Sequence, residues 1–137
     1  MQITSFKMAL TGVFSFAIYL IGGFDMTMQS LIIFMAVDYI TGVLKAIKDK
    51  EVSSKIGFKG LCKKVSLLLA IVVVVQFERF IGQPNTVRNI AAMGFIVNEL
   101  FSILENLEAF GIKIPILKKY IDRLKEEDKE DKDGDNS

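Results

Sequence analysis

A chain of 137 residues holds one domain, and at 51% hydrophobic, with a mean hydropathy of +0.40, it is richer in apolar side chains than a soluble fold of that size needs. Its net charge of +1 conceals segregated charge, and neither the basic nor the acidic stretch is interleaved with aromatics as a nucleic-acid surface would be. A lone Cys62 excludes an intrachain disulfide, the lack of His excludes two-His zinc motifs, and no G-x-S-x-G, P-loop or H-E-x-x-H pattern occurs, so an enzyme, a cofactor and a nucleic-acid partner are all unexpected.

Four apolar stretches compete to cross a bilayer, which takes about 20 helical residues. The first, "MALTGVFSFAIYLIGGF" (Met8–Phe24), is uncharged. Preceded by Lys7 it imitates a secretory leader, but further apolar runs follow and no A-x-A-like cleavage site ends it, so it reads as a retained membrane segment. The second, "TMQSLIIFMAVDYITGVLKAI" (Thr27–Ile47), contains Asp38 and Lys45. The third, "VSLLLAIVVVVQFERFIG" (Val65–Gly82), is uncharged as far as Phe77. The fourth, "VRNIAAMGFIVNELFSILENL" (Val87–Leu107), carries Arg88, Glu99 and Glu105, and either spans or lies in the interface. Charges near the ends can snorkel to the headgroups, and interior ones can face other helices.

"GGFDM" and "IGQPNT" are tight turns. The longer connection, Lys48–Lys64, has Ser53 or Ser54 as an N-cap, then Lys55, Lys59 and Lys63 at every fourth position, with Phe58, Leu61, Cys62 and Val65 on another face. This pattern predicts a short basic amphipathic helix lying on anionic headgroups before the chain turns into the third span. After Pro115, the residues Ile116, Leu117, Tyr120, Ile121 and Leu124 recur at helical spacing, predicting a short interfacial helix, while "EEDKEDKDGDNS" is too polar to order itself. The expected architecture is all-α: a transmembrane helical domain over residues 1–117 with three or four spans, and a charged cytoplasmic tail over 118–137 that is disordered after its short helix. With four spans, fifteen Lys and Arg fall on one side and only Arg79 and Arg88 on the other, which puts the middle connection and both termini in the cytoplasm. If the first stretch is not inserted, the N-terminus lies outside and the C-terminus still inside.

An ionised Asp in the middle of a span costs about 2.5–3.5 kcal/mol on insertion scales, so Asp38 requires compensation. Gly42 and Ala46 follow it at four-residue intervals, a small-xxx-small pattern that lets helices approach closely. Asp38 is then either a pin between packed helices or part of a pore wall. On the fourth stretch, Asn98, Ser102 and Glu105, and equally Glu99, Ser102 and Asn106, form a polar stripe. The stripe lines an aqueous or self-association surface, or else faces water on a helix that never spans. The candidate seam is therefore Asp38, Gly42, Asn98, Glu99, Ser102 and Glu105, with Lys55, Lys59 and Lys63 on the membrane surface. Glu99 and Glu105 have no nucleophile or metal set to make them catalytic.

Residues Val37–Val65, "VDYITGVLKAIKDKEVSSKIGFKGLCKKV", resemble the signature region of the toxin-secretion/phage-lysis holin family, through Asp38, Thr41 and Gly42, the lysine run, Ser53–Ser54–Lys55 and Gly57–Phe58–Lys59–Gly60. Asn98–Lys125 is similar to that family's C-terminal half, so the resemblance covers about Leu31 to Lys125; the N-terminal span and acidic tail match only in kind. It implies a small non-enzymatic protein of the bacterial inner membrane whose partners are the lipid bilayer and further copies of itself. Such proteins accumulate, then assemble abruptly into lesions that release endolysin or, in some relatives, export a large toxin, without stably binding either. The family also uses paired starts, and Met1 and Met8 here differ by one cation, Lys7; on the other reading Met8 is simply an apolar residue. Two rival functions are a small selective ion channel, which Asp38 and the stripe equally suit, and a membrane scaffold using the basic connection and acidic tail.

Overall fold

The computed structural model describes residues 1–134, which form five α-helices: α1 Gln2–Leu20, α2 Met26–Lys48, α3 Ser54–Phe80, α4 Thr86–Glu108 and α5 Pro115–Gly134. No strand occurs among the described residues, and α1 to α4 are each long and apolar enough to cross a membrane. The count of candidate spans is thus four.

Two sharp turns set the bundle. Between α1 and α2, Gly22 and Gly23 take φ of +81° and +109°, and a Cβ on Gly22 would stand 3.1 Å from Cγ2 of Val75. A side chain is excluded there on both conformational and steric grounds. Asp25 then caps α2, its carboxylate accepting from the Met28 N–H at 3.1 Å. Between α3 and α4 the chain reverses through Gly82 at φ +68°, with the Gln83 N–H returning to the Glu78 carbonyl at 2.9 Å.

Met28, Leu31 and Met35 of α2 bury one face against Ala92 and Ile96 of α4 and Ile71 and Val75 of α3. Their three- and four-residue spacing is that of a single helical face. The α2–α4 contact is the most extensive, whereas α3 touches α2 much less and α1 touches only α3. No residue of α1 is buried. Apolar side chains such as Phe14, Ile40, Val73 and Phe77 cover the outside, as suits a surface that meets hydrocarbon rather than water.

Two expectations are corrected. The basic stretch holding Lys55, Lys59 and Lys63 is not a separate interfacial helix; it is the opening of α3, which runs unbroken for 27 residues. Nothing between Cys62 and Leu67 carries turn chemistry, so a helix begun at Ser53 simply propagates. At about 1.5 Å per residue α3 is about 40 Å long, some 10 Å more than a hydrocarbon core. Ser53 does occupy the N-cap, but its side chain makes no capping bond.

The second correction concerns the tail. α5 continues to Gly134, well past Leu124 where the expected short helix ends, and packs on α4. Ile121 is buried, Lys125 Nζ lies 3.4 Å from the centre of the Phe101 ring, and Lys118 reaches Glu108 at 3.5 Å. Once these contacts anchor the first turns, Lys and Glu extend a helix at little cost. The last part of the tail expected to be disordered, Asp135–Ser137, lies outside the described residues.

Candidate functional site

Asp38 finds its counter-charge on α3. Lys64 Nζ lies 2.7 Å from Asp38 Oδ2 and 2.5 Å from Glu99 Oε2, with the three side chains 14%, 14% and 7% exposed. Asn106 Nδ2 donates to Asp38 Oδ1 and to Thr41 Oγ1, both at 3.1 Å, while the Thr41 hydroxyl donates to the Val37 carbonyl at 2.9 Å. Among the described residues no buried side-chain nitrogen or oxygen lacks a partner. Three helices are pinned through one polar layer, which carries two carboxylates and a single ammonium.

Lys64 escaped the reading of the sequence, although a signal was present. The repeat of Lys55, Lys59 and Lys63 is interrupted by an extra lysine, and Lys64 stands seven residues before Ile71 and eleven before Val75. That spacing places it on the face that buries those two core residues.

All six residues of the expected seam line one cavity of about 710 Å³ between α2, α3 and α4. Asp38, Gly42, Asn98, Glu99, Ser102 and Glu105 are joined there by Glu51, Lys63, Lys64 and Tyr39, so four carboxylates face two ammonium groups. The α2–α3 connection lines one end of the cavity through Glu51, Val52 and Ser53. A Cβ on Gly57 would meet Tyr39 Oη at 3.4 Å and one on Gly42 would meet Asn106 Nδ2 at 3.6 Å, both ordinary van der Waals distances, so α4 is the neighbour of Gly42 without the approach requiring a glycine there. Of the three expected surface lysines, Lys63 belongs to the cavity rim, whereas Lys55 and Lys59 are exposed and stand apart from it.

The opposite end holds a cluster the sequence did not disclose. Arg88, counted there as a charge near the membrane surface, is fully buried. Its Nε donates to the Ile21 carbonyl at 3.0 Å, Nη2 to the Gly23 carbonyl at 2.8 Å and Nη1 to Asp25 Oδ2 at 2.6 Å. The Arg88 hydrogen bond holds the Asp25 carboxyl below the ordinary carboxylate range. Asn85 Nδ2 donates to the Gly22 carbonyl at 3.1 Å, and Arg79 donates to the Tyr19 carbonyl at 2.6 Å while stacking 3.9 Å over its ring. With Asn85 so engaged, capping of α4 passes to Glu78, whose carboxylate accepts from the Val87 and Arg88 N–H groups at 2.6 and 3.1 Å. Half-buried carbonyls of the α1–α2 turn thereby find donors, and α1 is fastened by a polar clasp rather than by packing.

The family described as bacteriophage holins matches residues 15–126. An uncharacterised protein of Listeria innocua is 37% identical over 123 residues, covering 85% of this chain and 88% of the relative. An uncharacterised 14.9 kDa protein from the nagH 3' region of Clostridium perfringens is 38% identical over 98 residues, or 71% and 74% of the two chains. A probable holin of Bacillus phage phi105 is 32% identical over 85 residues, 62% of this chain and 63% of that one. No solved structure matches. The chain belongs to the bacteriophage holin family.

Proposed function

We propose that this member of the holin family self-associates in the bacterial cytoplasmic membrane and opens lesions through which an endolysin, or a large toxin, leaves the cell. The observation that carries the reading is the Asp38–Lys64–Glu99 layer beside a cavity lined by Gly42, Asn98, Ser102 and Glu105. In a single copy Lys64 bridges both carboxylates, which makes the charges tolerable in hydrocarbon. When copies meet, the same groups and the cavity supply polar surface that water can wet, while Ile40, Val73 and Phe77 stay in lipid. The cargo passes without being bound. Neither a catalytic centre nor a cofactor enters this reading.

The α2–α3 connection, the N-terminus and α5 face the cytoplasm, because 13 of the 17 Lys and Arg residues lie toward that end, with Lys7 and Lys64 at the polar layer and only Arg79 and Arg88 at the other end. Arg79 and Arg88 at the other end are engaged by carbonyls and by Asp25, which makes their presence outside less costly still.

Timed expression in a bacterium that also contains a cytosolic endolysin tests the proposal. Abrupt lysis after a lag, dependent on the endolysin, is the expected result; slow growth inhibition with the endolysin retained would overturn it. The excess of carboxylates over ammonium groups in the cavity favours a second reading, a small cation-selective channel. That reading predicts graded ion conductance in planar bilayers and no passage of protein.

A further inference from the structure

α1 is the unpartnered element of the bundle, and it carries one cation. It buries nothing, and its only polar attachments lie at its C-terminal end, where Arg79 holds the Tyr19 carbonyl and Arg88 the carbonyls beyond. Lys7, near the opposite end, is exposed and makes no ion pair among the described residues. A lysine inside an apolar helix has two favourable destinations: the headgroups, by snorkelling, or an acidic partner at its own depth.

Such a partner exists in the bundle. The α1–α2 and α3–α4 turns lie at one shared end, tied together by Arg88 and Asn85. Thirteen residues separate Lys7 from Leu20, thirteen separate Glu99 from Thr86, and twelve separate Asp38 from Met26. At about 1.5 Å per residue, all three stand about 18–20 Å from that end. Lys7 is thus at the level of the polar layer, which has one ammonium for two carboxylates. Within one chain the two do not meet, since α1 touches α3 alone and the cavity is lined only by α2, α3, α4 and the α2–α3 connection.

We infer that α1 of a second copy docks over the cavity between α2 and α3 and brings its Lys7 to the Asp38–Glu99 pair. The charges of the layer then balance, two ammonium groups against two carboxylates, and the sparsely packed α2–α3 seam is closed. Gly57 and Gly60 of α3 and Tyr39 of α2 line the cavity that the incoming helix covers. Each copy both offers an α1 and presents a cavity, so the contact is head-to-tail and propagates into a ring or chain of copies. The inference rests on the reading of this protein as self-associating, and it names the surface by which it does so.

Two differently tagged copies, both carrying Cys62→Ser, are co-expressed in a bacterial membrane. One bears Ile3→Cys, a turn nearer the cytoplasmic end of α1 than Lys7; the other bears Ser102→Cys in the cavity wall. A short bifunctional maleimide should join them into a mixed dimer. Lys7→Gln should lower the yield about fivefold, the scale of one interhelical polar contact in a membrane, and Lys7→Arg should restore it. Because Lys7 contacts nothing in the single chain, helicity by circular dichroism should be equal in all three. A mixed dimer formed equally well with Lys7→Gln overturns the inference. So does the absence of a mixed dimer when native electrophoresis shows multimers, a result that leaves the lesion-forming proposal standing. Monomers alone, in cells where the unmodified chain lyses its host, would overturn both.

Discussion

The ammonium of Lys64 lies 2.7 Å from the carboxylate of Asp38, 26 positions earlier in the chain, and Glu99 holds the same ammonium from the other side. A charge that would be costly in a lone span becomes the point at which three helices are pinned. Breaking such a pair from one side leaves a charge without compensation, which is worse than having no charges there at all.

Lys64→Met should therefore destabilise the bundle by about 3–5 kcal/mol, because Asp38 and Glu99 would face each other unpaired. The triple variant Lys64→Met, Asp38→Asn, Glu99→Gln should recover much of that loss. Thermal unfolding in detergent micelles reads both, and equal melting temperatures for the single and triple variants would show that Lys64 does not hold the carboxylates.

Asp38→Asn keeps a side chain that Asn106 can still bond, but it removes one carboxylate from the polar layer. Insertion should be preserved and the timing of lysis altered. Turbidity curves at matched expression give the answer; an unchanged lag would remove Asp38 from the lesion-forming surface.

Arg88→Gln should free the α1–α2 turn while leaving the core of α2 and α4 intact. The half-buried carbonyls of Ile21 and Gly23 would lose their donors, at a cost of about 1 kcal/mol, the low end for a group left unpaired. Hydrogen exchange should rise over residues 17–25 and stay slow at Ile96 and Ile103. Gly22→Ala should loosen the same turn, since its φ of +81° and the nearby Val75 methyl both oppose a Cβ.

The clasp should also weaken in acid. Asp25 has its pKa lowered, chiefly by the hydrogen bond from Arg88, so its stabilising contribution is complete above the unfolded carboxylate value near 3.9 and fades as pH falls through the lower folded value. With the Asp25 side chain 48% exposed, solvent screening keeps the effect small. Melting temperature followed from pH 6 to pH 2 should decline at the low end, and Asp25→Asn should flatten that decline; identical slopes would exclude Asp25 as the titrating group.

How far the sequence reaches depends on whether a feature is local. Four apolar stretches, the Gly-rich turns and the polar stripe on α4 are set by residues within one or two helical turns of one another, and hydropathy with periodicity reveals them. The six seam residues were named from those signals, and they do line a common cavity. The extent of α3 and α5 was less legible, because a Lys-rich segment reads as a separate helix on the membrane surface and a Glu-rich one as disordered chain, yet each propagates a helix once an adjoining turn is anchored. What only the tertiary structure decided is pairing: Lys64 with Asp38 and Glu99, Arg88 with Asp25 and the turn carbonyls, Glu78 with the start of α4. Which charges meet depends on which helix faces pack and at what depth, and helices that pack through uniformly apolar surfaces leave little trace of their neighbours in the order of their residues.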